Sequence, residues 1–223
     1  MISTELRTAF DLFDIEGGTQ PPKAQFVYQP TLGYVRLLQI RDFESDGHDT
    51  YIPDSSKWRR CSTKDTLIGR YGAAVGRICR GLEGAYNVAL AKVVPRDGID
   101  PEYLHYLLRS DLFQGPLLAG SGRSAQAGFN KTDLKSIKLP VLPPAHQYAV
   151  GRLLRPLDDK IELNRRMNET LEAMARAIFK DWFVDFGPTR AKAEGRPPYL
   201  APDLWAMFPD ALDDEDKPVG WED

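Results

Sequence analysis

Cysteine and histidine are both scarce in this 223-residue chain. Two cysteines, Cys61 and Cys79, cannot form a disulfide scaffold or a four-cysteine zinc site. They read as free thiols of a reducing, cytoplasmic compartment. The three histidines, His48, His105 and His146, are scattered, and none has a partner at metal-ligand spacing. No apolar run approaches the roughly 18 residues needed to cross a bilayer, so no membrane partner is expected. The opening MISTELRTAFDLF lacks a basic segment followed by an apolar one, so no secretory leader is expected. There is no G-x-S-x-G elbow, dinucleotide fingerprint or P-loop. The glycine-rich GRYGAAVG (69–76) and AGSG (119–122) match none of them and read as turns. Glu215-Asp216-Lys217 spells a nuclease-like E-x-K, but within an acidic coil rather than on a strand. Together these gaps point to a chain that binds rather than catalyses, with no catalytic residue, metal or cofactor of its own.

What the chain does have is 42% hydrophobic residues, enough to bury a core, and an uneven distribution of charge. The net charge is −3, yet Lys57 to Arg80 holds seven bases and only one acid, Asp65. The stretch from Asp203 to Asp223 holds eight acids and one base. A basic segment on a mildly acidic protein suggests a face for a polyanion; the plain alternative is an ordinary solvated surface.

Three zones follow. Residues 1–143 read as a mixed α/β domain. GYVRLLQI (33–40), TLIGR (66–70) and YNVALAKVV (86–94) read as strands. PEYLHYLLRSDLF (101–113) reads as a helix opened by Pro101. AGSGRSAQAGFN (119–130) reads as a loop, and the prolines of KLPVLPP (138–144) delay the next helix to the last of them.

Residues 144–186 read as a long helix of coiled-coil type. Val150, Leu154, Leu157, Ile161, Asn164, Asn168, Leu171, Ala175, Ile178 and Trp182 follow alternating steps of four and three, a heptad seam. Pro156 is expected to kink or restart it. From Leu157 to Phe186 such a helix is about 45 Å long, too long to bury along a domain of this size. Asn164 and Asn168 are candidate register devices, because a buried amide needs a polar partner. On this reading Asn168→Leu gives stronger but less specific helix pairing. Gly187-Pro188 ends the helix, and 187–223 reads as a linker and extended acidic tail with one possible short turn, LAPDLWAMF. Trp182, Phe183 and Phe186 form a large apolar surface at the helix end, which needs a partner, either its own tail or another subunit.

LPPAHQYAVGRLLRPLDDKIELNRRMNETLEAMARAIFKDWFVDFGPTRAKAEG resembles the conserved helical region of specificity subunits of type I restriction–modification systems, most specifically over 157–186. EGGTQPPK (16–23), LQIRDF (38–43), DTLIGRYGAAVGR (65–77), GAYNVALAKV (84–93) and GSGRSAQAGFNKTDLKSIKLPVLPP (120–144) resemble that family's target recognition domain. A typical member carries two recognition domains and two long helices; this chain has one of each, a half-length form, with Pro156 as a further departure.

The resemblance implies an α+β fold: a recognition domain (1–143), a helix for dimerisation and methyltransferase docking (144–186), and a linker leading toward a missing second recognition domain (187–223). It implies a subunit without an active site that binds one half of a bipartite site in double-stranded DNA. The partners implied are an adenine-N6 methyltransferase subunit, which uses S-adenosylmethionine, a restriction and translocation subunit, and a second copy of the chain. A stand-alone DNA-binding dimer, an unrecognised nuclease or modification enzyme, and an inactive fragment of a longer subunit are the alternatives.

Within that frame Lys57, Arg59, Arg60, Lys64, Arg70 and Arg77 are expected on DNA phosphates. Ser121, Arg123, Ser124, Gln126, Asn130 and Lys131 are expected near bases, Arg123 and Gln126 first among them. Tyr71 is a candidate to pack on a sugar or base. Arg165, Arg166, Met167, Glu172, Trp182 and Phe183 are candidates for methyltransferase docking.

Overall fold

In the computed structural model, residues 4–45, 47–121 and 128–221 are described. The chain divides into two compact units, Met1–Pro156 and Leu157–Asp223. The first contains β1 (Glu5–Thr8), α1 (Ala9–Leu12), β2 (Phe13–Gly17), β3 (Tyr34–Leu38), β4 (Tyr51–Pro53) and β5 (Arg60–Cys61). There follow β6 (Leu67–Gly69), β7 (Ile78–Cys79), β8 (Gly84–Tyr86), β9 (Leu90–Pro95), α2 (Pro101–Arg109) and α3 (Asp111–Ser121). Next come α4 (Lys131–Ser136), β10 (Lys138–Val141) and the long α5 (Pro144–Phe179). Beyond it, α6 (Gly187–Ala193) and α7 (Pro202–Trp205) lie in the second unit.

One antiparallel sheet runs β2-β9-β6-β7 and a second runs β4-β3-β8-β5, with β3 and β8 parallel. The strand β1 pairs with β10, so the chain's first strand closes against the last segment before α5. Pro140 is tolerated because this is a two-stranded edge pair. The main core lies between the first sheet and α1–α4, where Leu12, Phe13, Ile68, Leu104, Leu108, Phe113 and Leu134 are fully buried. A smaller cluster around Leu38, Tyr86 and Leu90 holds both cysteines. Burial pushes each thiol up to about 11.

Local chemistry explains where the elements differ from the sequence reading. The strand expected over 86–94 divides at Asn87, whose carbonyl side chain accepts from the Ala89 amide while Leu90 N–H bonds the Asn87 carbonyl. The helix expected over 101–113 ends at Arg109, because Ser110 adopts extended backbone and its hydroxyl donates to the Leu107 carbonyl. A separate α3 then runs to Ser121, into the stretch expected to be loop, carried by the buried Phe113 and Leu117.

The helix α5 does not restart at Pro156; it is continuous for 36 residues, about 54 Å. Its regular turns end at Phe179 and pass into a π-turn at Lys180–Val184, with Phe186 in the left-handed region.

Residues 187–221 are not an extended linker. Trp182 packs edge-on against Phe208, Trp221 stacks on Phe183 and meets Phe186, and Tyr199 packs on Trp205. Thr189 and Ala191 are fully buried in this aromatic cap. The acidic stretch folds as a turn: Asp213 accepts from the Glu215 and Lys217 amides, and Leu212 bridges Pro218. The cap could not be read from charge, because its aromatic residues are widely spaced along a polar sequence.

Candidate nucleic-acid interface and helical seam

The basic segment does not form one strip. Its residues pass from the second sheet to the first: Arg60 lies on β5, Arg70 follows β6 and Arg77 precedes β7. Lys57, Arg59 and Lys64 are exposed, and no ion pair among the described residues engages them. Arg60 pairs with Asp54, and Arg77 with Glu44. Both pairs are exposed, so each is worth at most about 1 kcal/mol and can exchange for a phosphate. Arg80, the seventh base, is committed internally: Nη1 donates to Glu102 at 2.7 Å and Nε to the Lys64 carbonyl at 2.9 Å.

Arg70 and Tyr71 meet the later candidates through the fold. Tyr71 forms an isolated antiparallel bridge with Gly128, and the Phe129 amide donates to the Arg70 carbonyl. A side chain at 128 would collide with the Tyr71 ring, so only glycine allows this approach. The Arg70 guanidinium lies 4.9 Å from the Tyr71 ring centre, and its Nε is buried without a hydrogen-bond partner. Tyr71 itself is 47% exposed. This cation–aromatic pair is the most specific local feature of the predicted set.

Asn130 and Lys131 stand next to that bridge but are partly occupied. The Asn130 carbonyl oxygen caps α4, accepting from Thr132 N at 2.7 Å and Asp133 N at 3.3 Å. Only its amide N–H groups remain for reading a base. Lys131 pairs with Asp14 at 2.5 Å, and this hydrogen bond holds the Asp14 carboxyl below the usual range. Ser121 ends α3, while Arg123, Ser124 and Gln126 lie outside the described residues.

Sequence reasoning missed the device that roots α5. Gln147 is 1% exposed. Its oxygen accepts from Asp100 N at 2.8 Å, and its nitrogen donates to the Leu142 carbonyl at 2.8 Å and the Gly98 carbonyl at 3.4 Å. At Gly151 a side chain would meet Glu102 Cβ at 2.8 Å, so α5 and α2 approach closely there. Glu102 joins Arg80 to Arg155. Burial alone would raise the Glu102 carboxyl, but the two guanidinium groups prevail and hold it below its ordinary value. Beside it opens a cleft of about 380 Å³ between Glu102, Tyr148, Gly151, Arg152 and Arg155. The available signals were a glutamine and a glycine one helical turn apart on a face that also carries Val150.

The seam itself is open. Leu157 (54%), Ile161 (65%), Leu171 (55%) and Ile178 (44%) are exposed, as are Asn164, Asn168 and Ala175. Val150 packs on the main core, and Trp182, inside the π-turn Lys180–Val184, is half-buried against Phe208. Trp182 is thus a cap residue, not a free seam position. Of the docking candidates, Arg165, Arg166 and Glu172 make intrahelical pairs with Glu169, Glu162 and Arg176. Met167 and Phe183 are exposed.

Residues 4–173 match the type I restriction modification DNA specificity domain. The chain belongs to that family. It is 32% identical over 136 residues to the specificity subunit of the type I restriction enzyme MjaIX from Methanocaldococcus jannaschii, covering 61% of this chain and 28% of that one. It is 42% identical over 98 residues to the HindI specificity subunit from Haemophilus influenzae, covering 42% and 21%. The chain therefore spans about a quarter of the length of these relatives. The HsdS subunit from Thermoanaerobacter tengcongensis shares the fold, with a TM-score of 0.52 over 81% of this chain and 44% of that one, at 20% identity. The type I restriction–modification S subunit from M. genitalium does so with a TM-score of 0.54 over 92% and 48%, at 16% identity. The α+β reading, a recognition-type domain followed by a long helix, is the fold of this family. Among the described residues no group of histidine, cysteine, aspartate or glutamate could hold a metal, and no helix is long and apolar enough to cross a membrane.

Proposed function

We propose that this chain is the non-catalytic sequence-reading element of a type I methyltransferase assembly. It binds one half of a bipartite site in double-stranded DNA and holds an adenine-N6 methyltransferase subunit beside it. The methyl donor, S-adenosylmethionine, belongs to that partner. A base must be flipped out of the stack to be methylated, so the partner's pocket must be held at a fixed distance from the sequence being read. A helix rooted by Gln147 and the Arg80–Glu102–Arg155 network, and carrying an unpartnered apolar seam, suits that task. The family match over 4–173 is the observation that carries the reading.

Phosphate contacts are assigned to Lys57, Arg59 and Lys64, with Arg60 and Arg77 exchanging their carboxylates for phosphates. Arg70, Tyr71, Asn130 and Lys131 are assigned to the region nearest the bases, and Ser121, Arg123, Ser124 and Gln126 are assigned to base contacts on the sequence alone. The open seam is assigned to a second copy of the chain, and Arg165, Arg166, Met167, Glu172 and Phe183 to the methyltransferase. Two identical half-site readers related by a two-fold axis would select an interrupted palindrome. Light scattering on the chain with its cognate methyltransferase subunit tests this. Two copies of each in one particle are expected; no complex, or a one-to-one complex, contradicts it.

A further inference from the structure

Among the seven bases from Lys57 to Arg80, Arg70 is held in a way of its own. Arg60, Arg77 and Arg80 each pair with a carboxylate, from Asp54, Glu44 and Glu102. Lys57, Arg59 and Lys64 are exposed. Arg70 is half-buried, yet no hydrogen bond or ion pair among the described residues engages its guanidinium. The acids of β2, the strand that ends at Gly17, are already taken: Asp14 pairs with Lys131 and Glu16 with Lys92. The backbone of Arg70 is fixed on both sides. Its N–H donates to the Ala89 carbonyl at 2.8 Å, and its carbonyl accepts from the Phe129 amide at 3.3 Å. The guanidinium lies 4.9 Å from the Tyr71 ring centre, and a methyl group at Gly17 would come within 2.9 Å of Nη1. Nε is sealed from solvent, whereas Nη1 and Nη2 are not. What remains is an end-on fork of two donor nitrogens, positioned in advance by a ring and a glycine.

We propose that Arg70 reads a guanine, Nη1 and Nη2 donating to its O6 and N7 in the major groove, with Tyr71 and Gly17 as the positioning surfaces. The inference rests on the DNA-reading function proposed above and adds which residue reads which base. Three arguments separate guanine from a phosphate. The first is geometry. A phosphate needs charge within reach, and the exposed Lys57, Arg59 and Lys64 supply it. A fixed fork gains most where two acceptors at a set spacing must be recognised. Facing adenine, the same fork sets one N–H against the N6 amino group, another donor, and leaves it unpaired. The second is hydration. A guanidinium stacked on an aromatic ring is weakly hydrated, so it enters a groove at less cost than an ammonium. The third is place. Tyr71 bridges Gly128, and the chain runs on from there to Asn130, whose amide N–H groups are free for a base.

The test is selection of duplexes from a random pool by the chain with its methyltransferase subunit, for wild type, Arg70→Lys, Gly17→Ala and Arg70→Gln. Competition binding then compares the base pairs at each position of the selected motif. Wild type is expected to select a motif with an invariant G·C pair. Arg70→Lys keeps the charge and loses the fork; Gly17→Ala keeps the arginine and displaces Nη1. Each is expected to lower the preference at that one pair by about tenfold or more. Preferences at the other positions and the salt dependence stay as in wild type, which also reports that the variants are folded. If Arg70→Lys keeps the full preference at every position, the inference is wrong. Arg70→Gln then shows the phosphate contact instead, as a salt dependence shallower by about one phosphate with the motif unchanged. A wild-type chain that binds without selecting any motif overturns the reading function itself.

Discussion

Gln147→Leu is the sharpest test of how the helix is rooted. The substitution keeps the side chain's approximate volume and removes all its hydrogen bonds, so the loss is not confused with a cavity. Two partners at 2.8 Å, the Asp100 N–H and the Leu142 carbonyl, are left without their bonds in a site that is 1% exposed. The third, the Gly98 carbonyl at 3.4 Å, is too long to count for much. An orphaned buried group costs about 1–3 kcal/mol, so the two together cost about 2–6 kcal/mol. That is a large fraction of the roughly 5–15 kcal/mol by which a domain is stable. Urea unfolding of wild type and variant measures the total. Native-state hydrogen exchange at the Asp100 amide measures the local part, because that amide loses its acceptor. A stability change below about 0.5 kcal/mol with unaltered exchange at Asp100 would refute the reasoning. Gln147→Glu provides the sign: it keeps the acceptor but turns a carboxylate oxygen toward two carbonyls. Its destabilisation should be greatest at neutral pH and ease as acid protonates the carboxyl.

Other predictions follow from charges, thiols and the cap. Arg59→Ala with Arg60→Ala should weaken binding to every duplex alike and make the dependence on salt shallower by about one to two phosphates' worth; an unchanged slope removes that segment from the interface. The Glu102 carboxyl is held below its ordinary value of 4.5, so its contribution is present above that pH and lost as pH falls through the lower folded value. Acid titration of wild type against Glu102→Gln should therefore show stability curves converging at low pH, and parallel curves would contradict the pairing with Arg80 and Arg155. Burial raises both thiols to about 11, so a thiol reagent at pH 8 should label Cys61 and Cys79 only as the protein unfolds. Fast labelling of the native chain would place them at the surface.

The sequence was most legible where a pattern repeats. Alternating steps of four and three marked α5 over its seam, and Pro144 set its start. Tyr34–Leu38 and Leu67–Gly69 announced themselves as short apolar runs. What escaped has non-local causes. The strands β5 and β7 are two residues long and exist only because β8 and β6 lie beside them. Pro156 removes one N–H bond and crowds the carbonyl four residues before it, at a cost of about 3 kcal/mol, yet the helix runs through it; of the two outcomes expected, a kink or a restart, the restart does not occur. Of the aromatic cap the sequence shows one half, the Trp182, Phe183 and Phe186 surface that needs either its own tail or another subunit; that Phe208 and Trp221 of the tail cover it becomes visible only once the chain has turned back at Phe186. The basic segment was found, but its division between two sheets, and the internal commitment of Arg80, depend on contacts with residues far along the chain.

Selection of bound duplexes from a random pool, using the chain together with its methyltransferase subunit, tests the central claim most directly. The account predicts enrichment of one short motif, present twice in inverted orientation across a spacer of fixed length. Binding with no enrichment, its affinity set by salt alone, would contradict it.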